Sequence, residues 1–125
     1  SSSDRITDWF QTIKEGVIAT APDFAIDRSD LQITLMVKQI ASVSKASDFV
    51  VGFEDGRSYG AKSGMRSLAL YDPRVRGWYK AAKQKRSTVI TGIYKGASSG
   101  KLMISIAEPF FYEDKFTGKE ILEMN

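Results

Sequence analysis

Nine consecutive residues, Tyr71-Asp-Pro-Arg-Val-Arg-Gly-Trp-Tyr79, hold two arginines, one tryptophan and two tyrosines. A guanidinium offers a planar fork of N–H donors that matches a carboxylate or phosphate with two parallel hydrogen bonds. Proline after Asp72 fixes φ and starts a turn. Residues 75–85 mix apolar and basic types and predict a short helix. Arg76, Trp78 and Tyr79 then stand at its N-terminus, where unpaired backbone N–H groups and the positive end of the helix dipole already favour an anion. The aromatic pair would wall such a site and shield it from water. A structural alternative pairs Arg76 with Asp72 or Glu108 and buries the aromatics in the core. Arg74, one residue off the anchor, reads as solvent-facing.

Other chemistries are poorly supplied. The chain has neither histidine nor cysteine. The usual neutral-pH proton carrier, the commonest zinc ligand, thiolate sites and disulfides are therefore all missing. No paired-carboxylate motif replaces them, so no catalytic residues, metal or cofactor are expected. Ser42-Val-Ser-Lys45 and Ser98-Ser-Gly-Lys101 match the Ser-x-x-Lys of penicillin-recognising enzymes but lack the companion motifs. Gly96-Ala-Ser-Ser-Gly-Lys101 looks like a phosphate loop, yet its spacing is one residue short and a strand follows, so it reads as a hairpin turn. Arg74, Arg76, Lys80, Lys83, Lys85 and Arg86, beside Trp78 and Tyr79, keep a nucleic-acid-binding module open as an alternative. A net charge of +3 does not by itself argue for it, and such a run on a helix is more often a solvated face.

The elements that must position the motif follow from apolar spacing. Ile6, Trp9, Phe10, Ile13, Val17 and Ile18 recur at helical spacing, and Pro22 ends that helix at or before Ala21. Its apolar stripe suits packing on the sheet, contact with a second copy, or both. Residues 23–30 read as a polar connection. Ser29 and Gln32 have capping-box spacing before a second helix with Leu31, Leu35, Met36, Ile40 and Val43. Residues 49–53 form a strand, Asp55-Gly56 a tight turn, and residues 57–59 a return. Residues 60–67 read as a loop able to lie over a pocket. Strands are expected over 87–94 and 101–112, with Pro109 marking an edge or bulge. One more begins near Lys119. Helices first and tightly connected strands later give an α+β fold with an antiparallel sheet. The expected organisation is one domain over 1–125, with a helical part over 1–46 and a sheet over 47–125 carrying the short helix 75–85. No run is long enough to span a membrane and no leader is visible, as in a piece of a larger membrane protein.

The motif at 71–79 resembles the signature of Cache domains, the PAS-like extracytoplasmic sensors of bacterial chemoreceptors and sensor kinases, which runs Tyr-Asp-Pro-Arg-x-Arg-Pro-Trp-Tyr. The resemblance extends over about residues 45–120, through Phe53-Glu-Asp-Gly-Arg57, Gly92-Ile-Tyr94 and Ile104-Ser-Ile-Ala-Glu-Pro109. It implies a curved antiparallel sheet of about five strands, a long N-terminal helix and short helices on its faces, as in the distal module of the double form. It also implies a small-molecule ligand whose carboxylate is held by Tyr71, Arg76, Trp78, Tyr79 and Tyr94. Further implications are a homodimer through the N-terminal helix and a membrane-anchored parent with this part in the periplasm. No nucleic-acid partner is implied. The parent would be a chemoreceptor, or alternatively a histidine kinase or diguanylate cyclase. Two departures bear on the ligand. Gly77 replaces the proline, and Gly96 stands where the family has an amine-binding aspartate, which leaves either a carboxylate ligand without an amine or an amine held by Glu108 or another pocket group.

Overall fold

The computed structural model describes residues 2–90, 94–95, 102–112 and 115–124. Within these, the side chains of 2–3, 6–7, 94–95, 102–104, 112, 115–116 and 119–124 are outside the description. Helix α1 spans Ser2–Thr20 and passes into a 3-10 turn at Ala21–Ala25; α2 spans Asp30–Ser44. Strands β1 (Asp48–Phe53), β2 (Ser58–Gly60) and β3 (Gly64–Arg66) follow. A 3-10 turn at Pro73–Val75 leads into α3 (Gly77–Lys85). The chain then returns through β4 (Val89–Ile90), β5 (Tyr94–Lys95), β6 (Leu102–Tyr112) and β7 (Lys115–Met124). The strands order as β3-β2-β1-β7-β6-β4, with β5 also paired to β6, and every pairing is antiparallel. First and last strands thus meet in the middle, which ties the chain's two ends into one sheet.

Strand side chains alternate between faces, and this alternation separates the two cores. Phe49, Val51, Phe53, Tyr59, Ile106 and Phe110 point to the face covered by Ile13 and Val17 of α1, Phe24 of the first turn, and Ile33 and Val37 of α2. Phe24 lies 6.2 Å from Phe49 and 6.0 Å from Phe110 between ring centres. The segment expected to be a polar connection therefore contributes a core aromatic. On the opposite face Val50 and Ala107 meet Ala82 of α3, with Trp78 and Val89 beside them.

Local signals hold well. Ser29 and Gln32 form both arms of the capping box, at 3.2 and 2.9 Å. Gly56 takes the positive φ of 94° that its turn requires. Three expectations change. Seven strands are described where about five were expected. Residues 64–66 of the expected lid pair with β2 as β3. The buried stripe of α2 is Ile33 and Val37, while Leu31, Leu35 and Val43 are 68%, 58% and 78% exposed. Pro109 meets both of its expectations: β4 pairing stops at Ala107, and a register shift falls between Phe110 and Phe111.

Tyr59, fully buried, donates its hydroxyl to Asp30 Oδ1 at 2.5 Å, linking β2 to the start of α2. Burial first, and that hydrogen bond second, push its pKa from 10.0 up to about 12. Burial likewise raises Tyr79, helped by its bond to Glu54. The unfolded chain ionises its tyrosines near pH 10, before the folded one can. Their contribution to stability is therefore complete below pH 10; that of Tyr59 is lost as pH rises through about 12, and that of Tyr79 at higher pH still. Urea melts at pH 9 and 11.5 should show a lower midpoint at the higher pH. Replacing both tyrosines by phenylalanine should flatten that fall.

Candidate functional site

The motif folds against the second face of the sheet. Asp72 caps the turn: its Oδ1 accepts from the Arg74 backbone N–H at 3.0 Å. The same carboxylate receives Arg74 Nε at 2.9 Å and Nη2 at 3.0 Å. Arg74 Nη1 reaches the Glu54 carbonyl at 3.4 Å. Arg74 is thus a half-buried brace of the turn and not a solvent-facing residue. Its hydrogen bonds hold the Asp72 carboxyl below the usual carboxylate range.

Consuming Asp72 in this way leaves Arg76 without it. Glu108, the other partner considered, accepts from the Thr88 hydroxyl. Glu108 also belongs to the strand row of Ile106 and Phe110, whereas Ala107 faces α3. It therefore neither neutralises Arg76 nor serves as an amine partner on the α3 side. Arg76 instead lies with its guanidinium carbon 4.8 Å from the centre of the Tyr71 ring. It is the N-cap residue of α3, in extended conformation (φ −76°, ψ 143°), and no side chain caps that helix. The exposed guanidinium and the helix's positive end therefore coincide.

Trp78 and Tyr79 support this corner differently from each other. Trp78 packs on the Val50, Ala82 and Ala107 cluster. A Cβ at Gly52 would stand 2.6 Å from Pro73 Cβ and 3.4 Å from the Trp78 ring, so only glycine there lets the turn and the tryptophan sit on the sheet. Tyr79 is 1% exposed and donates to Glu54 Oε2 at 2.5 Å; Lys83 Nζ pairs with Glu54 Oε1 at 2.5 Å. Its hydroxyl is therefore a structural strut, and what it brings to the corner is its ring, 5.9 Å from Trp78 and edge-on. The Tyr94 backbone lies opposite Met103; its side chain, and all of Gly96 to Lys101, fall outside the described residues. Of the expected site residues, the structure sets Arg76 against Tyr71 and Trp78 edge-on against Tyr79.

Two residues unmarked by the sequence reading join this corner. Arg66 of β3 places its guanidinium carbon 4.2 Å from the Tyr71 ring centre. Ser58 of β2, opposite Arg66 and Gly52 in register, is fully buried, and its hydroxyl has no hydrogen-bond partner among the described residues. A three-residue strand carries too little periodicity to reveal Arg66. The small residues Ser58 and Gly60, alternating with Tyr59, were the available sign of a crowded face.

Gly77 opens α3, and a Cβ there would touch nothing within 4 Å. Proline at the first helical position suits this site, because Arg76 already has the extended backbone that a following proline demands. Gly77→Pro should therefore raise stability by about 0.4–1 kcal/mol through the unfolded chain, read as a higher melting temperature.

A separate cavity of about 430 Å³ lies between α1 and α2, lined by Ile13, Gly16, Val17, Ile40 and Val43 among others. It adjoins the core on the opposite face and contains no charged side chain, so nothing there pairs with an anion. Among the described residues there is no cluster of metal-ligating side chains, and no helix is long and apolar enough to cross a membrane.

Comparison with known proteins identifies the family of the fold. Residues 28–119 match the family of methyl-accepting chemotaxis protein-like, first PDC sensor domains. Methyl-accepting chemotaxis protein PscA of Pseudomonas syringae pv. tomato is 43% identical over 67 residues, covering 54% of this chain and 10% of that protein. McpA of Pseudomonas putida is 54% identical over 41 residues, covering 33% of this chain and 6% of that protein. The chain thus spans about a tenth or less of the curated relatives it matches. In structure it is similar to the ligand-binding domain of the Pseudomonas fluorescens chemoreceptor CtaA, solved with L-serine (TM-score 0.81, 24% identity, 98% of this chain and 53% of that one). It is also similar to that of the Pseudomonas aeruginosa PAO1 amino acid chemoreceptor PctC, solved with GABA (TM-score 0.82, 20% identity, 97% and 55%). The α+β fold is therefore that of chemoreceptor ligand-binding domains, and the chain belongs to the methyl-accepting chemotaxis protein-like first PDC sensor domains, a family of sensory modules in signal transduction.

Proposed function

We propose that the chain is the extracytoplasmic ligand-binding module of a membrane-anchored bacterial chemoreceptor, and that it captures amino acids or related small molecules by their carboxylate at Arg76. The observation that carries this reading is the state of Arg76. Its guanidinium is exposed, stacked on Tyr71, lacks a carboxylate partner among the described residues, and stands at a helix N-terminus without a side-chain cap. Every part of that arrangement favours a small anion. L-Serine and GABA, the molecules bound in the two structural relatives, both carry a carboxylate. Tyr71 and Trp78 form the wall, Tyr79 stiffens it from behind, and Tyr94 is assigned to the same pocket. Residues 1–125 act as one sensor unit. The module pairs with a second copy through α1, where Trp9 and Ile18 remain 44% and 40% exposed, and binding alters that helix pairing to send the signal through the membrane.

A thermal-shift screen of amino acids, amines and organic acids tests the reading, because a ligand of the folded state raises the melting temperature by mass action. Carboxylate-bearing compounds should give the shifts and the corresponding amines none. Shifts from amines alone, or none from any carboxylate, would refute it.

A further inference from the structure

We propose that Arg66 and Arg76 act together as a two-cation clamp around Tyr71, and that the module prefers a small diacid, such as an acidic amino acid, whose second carboxylate is taken by Arg66. This rests on the reading that Arg76 holds a carboxylate, and adds to it the identity of the ligand's other end.

The two guanidinium carbons lie 4.2 and 4.8 Å from one ring centre. One cation over an aromatic face is attracted to it, but a second within about 9 Å of the first meets a like charge. Nothing nearby on the chain neutralises the pair among the described residues. Asp72 is used by Arg74, Glu54 by Lys83 and Tyr79, and Asp55 by Arg57. A guanidinium has five N–H donors, and the hydrogen bond shown for Arg66 is that from Nε to Ser63 Oγ at 2.6 Å.

The surroundings make room for this head group. Arg66 Nη2 lies 3.4 Å from where a Cβ of Gly60 would stand, so it extends along the sheet over a residue without a side chain. Ser58 occupies the same cross-strand row, and its buried hydroxyl has no partner. Two guanidinium groups on one ring, neither neutralised by a carboxylate among the described residues, suit two acidic groups better than one.

Isothermal titration of the 125-residue chain with matched pairs tests this: L-glutamate against L-glutamine, L-aspartate against L-asparagine, and succinate alone. Each acid should bind at least about tenfold more tightly than its amide, as expected for an added charge-assisted fork. Arg66→Ala should erase that ratio while leaving the amide's affinity within about threefold. Arg66→Lys, which keeps the charge but not the fork, should restore part of it, and a melting curve for each variant checks that it folds. Arg76→Ala should weaken acids and amides alike. If Arg76→Ala weakens binding but Arg66→Ala leaves the acid-to-amide ratio unchanged, or the wild-type chain prefers the amides, the clamp is overturned and the Arg76 site stands. If none of the five compounds binds, the clamp is overturned; if Arg76→Ala changes nothing for a compound that binds, both fall.

Discussion

Arg76→Ala should weaken binding of a carboxylate ligand by about 100-fold, in line with the 2–5 kcal/mol seen when one partner of a desolvated charge pair is removed. It should lower the melting temperature by only about 2–4 °C. The two effects separate because of where Arg76 sits. Its side chain is exposed, and the partner shown for it in the folded chain is the Tyr71 ring, a contact worth roughly 0.5–1 kcal/mol at an exposed site. Arg74→Ala should behave in the opposite sense. It removes the brace between Asp72 and the Glu54 carbonyl, so it should affect stability before affinity. Arg76→Lys retains the positive charge but loses the planar fork, and should fall between wild type and alanine. Calorimetric titration with the best compound of the thermal-shift screen measures the first effect and a melting curve the second. Equal affinity of wild type and Arg76→Ala would show that the carboxylate goes elsewhere.

The largest loss of stability should come from Gly118→Ala. Gly118 lies in β7 opposite Phe53 on one side and Phe110 on the other. A Cβ there would stand 2.4 Å from the Gly52 carbonyl oxygen, 2.8 Å from the Phe110 ring and 3.0 Å from Phe53 Cα. Two of these neighbours are backbone atoms of the central strand, and the third is 1% exposed. The two backbone atoms cannot move aside without shifting β1, the strand that carries Gly52 beneath Pro73 and Trp78. Overpacking of this kind costs roughly 1–3 kcal/mol, or a fall in melting temperature of about 4–12 °C for a chain this size. Because β1 supports the motif from below, ligand affinity should fall too. An unchanged melting temperature would mean that β7 has room the structure does not show.

What could be read from the sequence was local or carried by a dense motif. Ser29 and Gln32 are three residues apart and make their bonds within one helical turn, so spacing sufficed. Asp55-Gly56 fixed its turn by the same locality. The short helix was expected from residue 75 and begins at Gly77, because the 3-10 turn at Pro73–Val75 takes the residues before it. The face of α2 could not be read locally, because Leu31, Leu35 and Val43 and the set Ile33, Met36, Val37 and Ile40 form two apolar stripes at helical spacing. Contact with Tyr59 and Phe49 decides between them, and that contact is set by the sheet. Phe24 is a lone aromatic in a polar stretch, and its burial depends on β1 and β6, many residues away. At the site, Arg76 was visible as an anchor, but its freedom from Asp72 was not: Arg74 and Arg76 are both within reach of that carboxylate along the chain, and the 3-10 turn at Pro73–Val75 gives it to Arg74. Arg66 was hidden for a related reason. Its position beside Tyr71 is made by the pairing of β3 with β2, a contact between elements of three residues each.

The most direct measurement is a nuclear magnetic resonance titration of the isotope-labelled chain with L-glutamate and L-serine, following arginine side-chain, tryptophan indole and backbone amide signals. Carboxylate capture at Arg76 predicts that the Arg76 Nε–H, the Trp78 indole and residues 76–79 shift first and furthest, with any change along α1 secondary to them. Shifts confined to residues 12–20 and 39–44, around the apolar cavity between those helices, would contradict it.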